Sequence, residues 1–238
     1  MMRLPIGGQP PQTKGQLLSR LKEIINAGWM AMPGDVSRYN GTGGPGNYLE
    51  DLLGLTTGNQ DIADCIGWEV KFSTPKTSLI TLFHKEPEPR GILRYMVSRY
   101  GWRDKHGRLS FRHTIRGQSD RFTVVDDAGT IVVRPLQGDG PVPTWTHDTL
   151  LNIAGGKLRR LVSMEGQRKE DTVRYIRAEL FEEMLLTNLT HDLATGTIAI
   201  DFDVREMRAG SISLRNHGTK FRVSPKDLHR LYHKRQSL

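Results

Sequence analysis

The sequence contains a single cysteine, Cys65, so no disulfide can close within it and no multi-cysteine zinc site can be built from it. That scarcity fits a reducing compartment, and the expected location is the cytoplasm. No apolar run approaches the length needed to cross a bilayer, and the opening residues MMRLPIGGQPPQTKG lack the apolar stretch of a secretory signal. A membrane partner is therefore not expected. Internal repeats and low-complexity tracts are also missing, as are a GxSxG elbow and a Cys/His pairing, which leaves covalent nucleophilic catalysis without support.

What is present is enough apolar material for a core. The 238 residues are 37% hydrophobic, a size that suits one domain. Lys and Arg number 34 against 26 Asp and Glu, and the net charge of +8 points to a polyanionic partner. The excess is uneven: residues 205–235 carry nine Lys or Arg and only two acids, Glu206 and Asp227. Such a run can be a solvated surface or a phosphate-contacting arm.

Patterning along the chain alternates between helical and strand periods. After a Pro/Gly/Gln-rich leader to Gln12, Thr13 and Gln16 form a capping box for a helix whose apolar face is Leu17, Leu18, Leu21, Ile24 and Ile25, ended by Gly28. A glycine-dense loop, NGTGGPGN, precedes a second short helix in which Tyr48, Leu49, Leu52 and Leu53 pack and which contains Glu50. From Gly67 the period becomes two, with Trp68, Val70 and Phe72 alternating with Glu69, Lys71 and Ser73, so Glu69 and Lys71 share one face of a strand. Further strands are predicted at 79–84, 109–116, 121–125, 130–134, 158–164, 172–180 and 197–203, and helices at 89–100, 182–194 and 225–234. The mixture predicts an α/β domain.

Two motifs are weak. Gly41 to Gly46 match GxGxxG, but the segment before them, MPGDVSRYN, is polar and contains Pro33, so a flexible turn explains it better than a dinucleotide cradle. His229 and His233, spaced four apart on the expected closing helix, have no third ligand nearby and read as surface histidines.

The strongest constellation is Asp64, Glu69 and Lys71, with Glu50 on the helix upstream. Hydrolysis of a phosphodiester needs a cation held by oxygen ligands, an oriented water and a positive group near that water. Asp64 and Glu69 can hold Mg2+, and Lys71 can orient the water and offset developing charge. A plain surface salt bridge between alternate strand residues is the competing explanation.

The segments KGQLLSRLKEIINAGW, GNYLEDLLG, DCIGWEVK, SLITLFHKEP and KFRVSPKDLHRLY together resemble the MvaI/BcnI family of type II restriction endonucleases, relatives of the mismatch-repair nicking enzyme MutH. The resemblance is dense over the first ninety residues, thin over 101–194 and evident again near the end. It implies a PD-(D/E)XK nuclease: a mixed α/β sheet flanked by helices, in two lobes around a DNA-binding cleft. It also implies a catalytic lobe at about residues 13–135 and a DNA-recognition segment at about 197–238, within a single endonuclease domain. By the same resemblance Asp64, Glu69 and Lys71 are catalytic with Mg2+ on the two acids, and Glu50 supports them. His84 matches a family histidine implicated in site reading, and Lys85, Arg215, His217, Lys220 and Arg222 are the other expected DNA contacts.

Family members such as MvaI and BcnI cut sites of the form CC, a central pair, GG, as monomers that nick one strand at a time. The corresponding expectations are a monomer, duplex DNA as partner and a cognate methyltransferase in the host. At the position of Lys220 the member that distinguishes a central G:C pair has a histidine, which leaves the central pair open here. Asp61 is a second candidate ligand, one residue too far from Glu69 for the spacing in MutH, whereas Asp64 keeps the family's four-residue gap. Two rivals remain at this level: a MutH-like repair nickase, and a non-catalytic DNA-binding protein.

Overall fold

The protein is described by a computed structural model over residues 4–55, 63, 64 and 66–238; Asp61 and Cys65 lie outside the described residues. The chain divides into two compact units, one formed by residues 1–80, 153–185 and 228–238, the other by 81–152 and 186–227. This division is not sequential. Residues 81–135, which chain order grouped with the catalytic lobe, fall in the second unit, and residues 228–238 of the expected recognition segment return to the first. The physical cause is strand pairing: the final strand, Tyr232–Ser237, is antiparallel to Thr172–Met184 in the sheet of the first unit.

In the first unit that long strand, Thr172–Met184, pairs along one edge with both Trp29–Ala31 and Tyr232–Ser237, and along the other with Arg160–Lys169. Glu69–Ser73 closes the sheet, parallel to Arg160–Lys169, with Glu69 opposite Leu161 and Lys71 opposite Ser163. The helix Lys14–Asn26 packs Leu17, Leu21 and Ile24 into the core. Its start is capped as the sequence pattern demands: Thr13 Oγ1 accepts from the Gln16 amide at 3.2 Å, while the Gln16 side chain accepts from the Gln12 amide at 2.7 Å, one residue farther back than in the usual box. A second helix, Gly44–Leu52, begins with Pro45 in its first turn. Glycine is required at 44, because a Cβ there would sit 1.8 Å from the Tyr39 carbonyl oxygen. The GxGxxG match is therefore a tight junction between the Ser37–Tyr39 turn and this helix, and it sets where Glu50 emerges.

The second unit contains a six-stranded sheet and a three-stranded one. In the larger, Ile198–Glu206 lies between Lys220–Val223 and Leu109–Ile115, with Ile80–His84, Trp102–Arg103 and Leu214–Asn216 completing it. Ile198, Ile200, Phe202 and Val204 are buried on one face, while Asp201, Asp203 and Arg205 occupy the other. Aromatic rings run through the buried side: Phe83 stacks on Phe221 at 4.6 Å, and Trp145, Phe202, Phe111 and Phe122 continue the series. The hairpin Phe122–Asp127 to Thr130–Pro135 turns at Ala128 and Gly129, both at positive φ, as the Asp-Ala-Gly signal predicts.

Two expectations fail, and one helix has no counterpart in the sequence reading. Residues 182–184 continue the strand Thr172–Met184, leaving only a 3-10 turn, Leu186–Asn188, and a short helix, Leu189–Ala194, of the expected helix 182–194. Cross-strand pairs from Arg235 to Glu179 and from Lys234 to Glu183 keep that stretch extended against the terminal strand. The expected closing helix is likewise a 3-10 turn, Pro225–Leu231, that buries Leu228 and Leu231 and runs into the strand, so His229 and His233 do not share a helix face; both are exposed. Finally, the sequence pattern assigned nothing to the helix His147–Lys157, whose last turn contains two helix-weakening glycines, Gly155 and Gly156. No helix among the described residues is long and apolar enough to cross a membrane.

The capping and core assignments make distinct stability predictions. Thr13→Ala is expected to cost about 1 kcal/mol, and Leu21→Ala, at a position with no exposure, about 2–5 kcal/mol. Urea unfolding checks both, as a lower midpoint at unchanged slope.

Candidate active site and nucleic-acid face

Glu69–Ser73 is the outermost strand in its sheet path, so amides on its open side need partners from outside the ladder. Asp64 supplies one: its Oδ2 accepts from the Val70 amide at 2.9 Å, which anchors the acidic turn to the strand edge. Glu69 and Lys71 lie on one face, as the two-residue period predicts, and Lys71 Nζ donates to Glu69 Oε1 at 2.5 Å. Glu69 is 1% exposed. Its other oxygen, Oε2, is buried with no hydrogen-bond partner among the described residues.

Burial pushes the Glu69 carboxyl up to about 7, and the nearby negative charge of Asp64 adds to the shift while Lys71 and Lys157 oppose it. Lys157 was not singled out from the sequence; its Nζ is 3.8 Å from Glu69 Oε1. No motif marked it, because it closes the helix that the two glycines concealed. Glu50, on the helix Gly44–Leu52, is also raised, by burial and by Asp64, against the opposing charges of Arg38 and Lys71. Arg38 holds it at 3.0 Å and reaches Asp51 at 3.1 Å, and the Tyr39 hydroxyl donates to Asp51 at 2.5 Å. Glu50 and Lys71 line one cleft with Thr42, Asn47 and Phe72. Asp64, Glu69, Lys71 and Glu50 thus fall in one unit and interact electrostatically.

Among the described residues no group of three or more His, Cys, Asp or Glu side chains stands close enough to hold a metal ion in its present arrangement. The donor set still fits a hard divalent cation. Asp64 disfavours charge on both Glu69 and Glu50, and Glu69 presents a buried oxygen that lacks a donor among the described residues.

The residues expected to meet DNA all belong to the second unit or to the strand that opens it. His84 and Lys85, at the end of Ile80–His84, are exposed, and the Lys85 amide donates to the Thr219 carbonyl at 3.0 Å. Glu86 accepts from the Thr219 amide at 3.1 Å, and Gly218 adopts φ +80°, where a Cβ would meet His84 Cδ2 at 2.9 Å. Arg215 and His217 are exposed, with Arg215 in register with Arg205. Lys220 and Arg222 point to the polar face of the sheet and are ion-paired: Lys220 to Asp203 at 3.5 Å, Arg222 to Asp201 at 2.9 Å.

Asp201 and Asp203, which sequence reasoning passed over, also engage Thr114 at 2.6 Å and Arg112 at 3.1 Å. Cationic charge is nonetheless in excess here. Burial, together with Arg108, Arg112 and Arg215, pulls the Arg205 guanidinium below the ordinary arginine range.

The fold and sequence match known proteins over nearly the whole chain. A profile of the MvaI/BcnI restriction endonuclease family matches residues 18–232. A solved structure described as a restriction endonuclease MvaI-cognate DNA substrate complex superposes with a TM-score of 0.79 at 23% identity, covering 96% of this chain and 99% of that one. A second, MvaI in the absence of DNA, gives 0.56 at 22% identity, covering 97% and 99%. Among curated proteins none matches. With the family profile spanning most of the chain, the protein belongs to the MvaI/BcnI restriction endonuclease family and is a site-specific deoxyribonuclease.

Proposed function

We propose that the protein is a type II restriction endonuclease that hydrolyses duplex DNA at a short specific site with Mg2+, as a monomer nicking each strand in turn. The observation that carries this reading is the edge-strand cluster. Glu69 is buried with one oxygen that has no donor among the described residues, Lys71 lies against the other, and Asp64 is tied to the same strand.

In this reading Asp64 and Glu69 hold the cation, and the chemistry supplied by Mg2+ at their oxygens is Lewis-acid polarisation of the phosphodiester and acidification of water. Lys71 exchanges its bond to Glu69 for one to the attacking water, aligning it and balancing charge as the phosphorus is attacked. The new bond joins the water oxygen to phosphorus, the bond to the 3′ oxygen breaks, and the ends carry 5′-phosphate and 3′-hydroxyl. Glu50, steadied by Arg38, supports the site from the helix.

His84, Lys85, Arg215, His217, Lys220 and Arg222 provide the DNA-contacting surface. Within it the paired Lys220 and Arg222 are oriented by carboxylates and suit base edges, whereas exposed Arg215 suits phosphate. The site is expected to have the form CC, a central pair, GG, with a cognate methyltransferase protecting host DNA.

Purified protein incubated with unmethylated phage DNA is expected to give discrete fragments with Mg2+ and none with EDTA, and sequenced ends should share one motif. On supercoiled plasmid, open circle should precede linear product. Open circle that never becomes linear would favour a repair nickase, and specific binding without scission in any divalent ion a binding protein.

Lys71→Ala and Glu69→Gln are each expected to lower the cleavage rate by about 10²–10⁴-fold, with DNA binding in Ca2+ retained. Loss of binding or of folding in both would argue for a structural role instead. Arg215→Ala should weaken binding to all sequences alike and reduce the slope of affinity against salt, while Arg222→Ala should relax sequence preference.

The raised Glu69 carboxyl also predicts a pH effect without metal. The native state keeps this proton to a higher pH than the unfolded chain, so Glu69's contribution is present below the ordinary glutamate value of 4.5 and is lost as pH rises through about 7. Glu69→Gln should flatten that part of the stability profile measured by urea unfolding in EDTA.

A further inference from the structure

Two ammonium groups converge on one oxygen of Glu69. Lys71 donates to Oε1 at 2.5 Å, and Lys157 stands 3.8 Å from the same atom, beyond hydrogen-bond reach but within ion-pair range. Oε2 is left to face its surroundings with no donor among the described residues.

The backbone of Lys157 is placed by the helix that it ends, His147–Lys157, where the Leu158 amide donates to Ala154 at 2.7 Å and both of those residues have no exposure. The strand Arg160–Lys169 then sets Leu161 opposite Glu69, which delivers the helix end to the Glu69 end of its neighbour. The Lys157 side chain is 16% exposed and that of Glu69 2%.

With a cation at Oε2, the departure of Lys71 to the attacking water would strip Oε1 of its hydrogen-bond donor, and a buried carboxylate oxygen without a polar partner is costly. Lys157, already within ion-pair range of Oε1, is placed to take over that contact.

We propose that Lys157 is a positioning residue: it retains Glu69 Oε1 while Lys71 moves to the water, and so keeps Oε2 turned toward the cation. This rests on the nuclease reading above and adds to it a division of labour between two lysines. Supporting groups of this kind, one step removed from the metal, typically contribute 10–100-fold to activity or metal affinity.

The test uses the full chain with Lys157→Met, Lys157→Arg, Glu69→Gln and the Lys157→Met/Glu69→Gln double variant. Single-turnover cleavage at saturating DNA and Mg2+ is expected to slow about 10–100-fold in Lys157→Met and to recover in Lys157→Arg, with DNA affinity in Ca2+ unchanged. Without metal or DNA, Lys157→Met should lower Tm, and should lower it much less when residue 69 is already Gln, the signature of a direct coupling.

Wild-type cleavage by Lys157→Met, or equal Tm losses in both backgrounds, would overturn the proposal. A loss of DNA affinity matching the loss of rate would also do so, by making Lys157 a phosphate contact. If the unaltered protein cuts no DNA in any divalent ion, the nuclease reading fails separately, and the Tm cycle still decides whether Lys157 and Glu69 are coupled.

Discussion

Placing a carboxylate at 1% exposure on the outer strand of a sheet is costly unless cations and hydrogen bonds meet it, and among the described residues Glu69 is met on one oxygen only. The elements around it follow from that constraint. Arg160–Lys169 must run parallel to Glu69–Ser73 for the helix end bearing Lys157 to reach the acid, and Asp64 must bond the Val70 amide to stay on the strand. The tight approach at Gly44 fixes the helix that carries Glu50. In the proposed function, the Glu69 oxygen with no partner among the described residues is where the divalent cation would bind.

The second unit solves a different electrostatic problem on its polar sheet face. Asp201 and Asp203 alternate with buried Ile200, Phe202 and Val204, and each pairs diagonally, two residues along the register, with a cation of the neighbouring strand, Asp201 with Arg222 and Asp203 with Lys220. Arg222 and Lys220 are thereby oriented instead of sampling solvent, and the remaining arginines, 108, 112, 205 and 215, leave net positive charge. In the proposed function, the cations oriented by carboxylates would read base edges and exposed Arg215 would track phosphate, so that one surface serves both roles.

Legibility in the sequence followed the range of the interactions. The helix Lys14–Asn26 was readable to its cap because its signals are local, and the alternation at 68–73 put Glu69 and Lys71 on one face correctly. The stretch after Leu180 was misread because Glu182, Glu183 and the leucines around them suit a helix, yet pairing with a strand fifty residues away holds them extended. The terminal strand was misread for the same reason. Lys157, Asp201 and Asp203 were missed because an isolated Lys or Asp has no pattern until a neighbouring strand or helix is placed beside it.

By itself the sequence determined the α/β character, the local helix and turn chemistry, and the acid, acid, lysine spacing whose resemblance pointed to the restriction endonucleases. These depend on residues within a few positions of one another. Only the tertiary structure decided that the first unit is completed by residues 228–238, that Glu69 is buried with a single oxygen engaged among the described residues, and that a second lysine stands against it. Each of those results from strand pairing between distant segments, and the register that brings them together is set by which apolar faces can be buried at the same time.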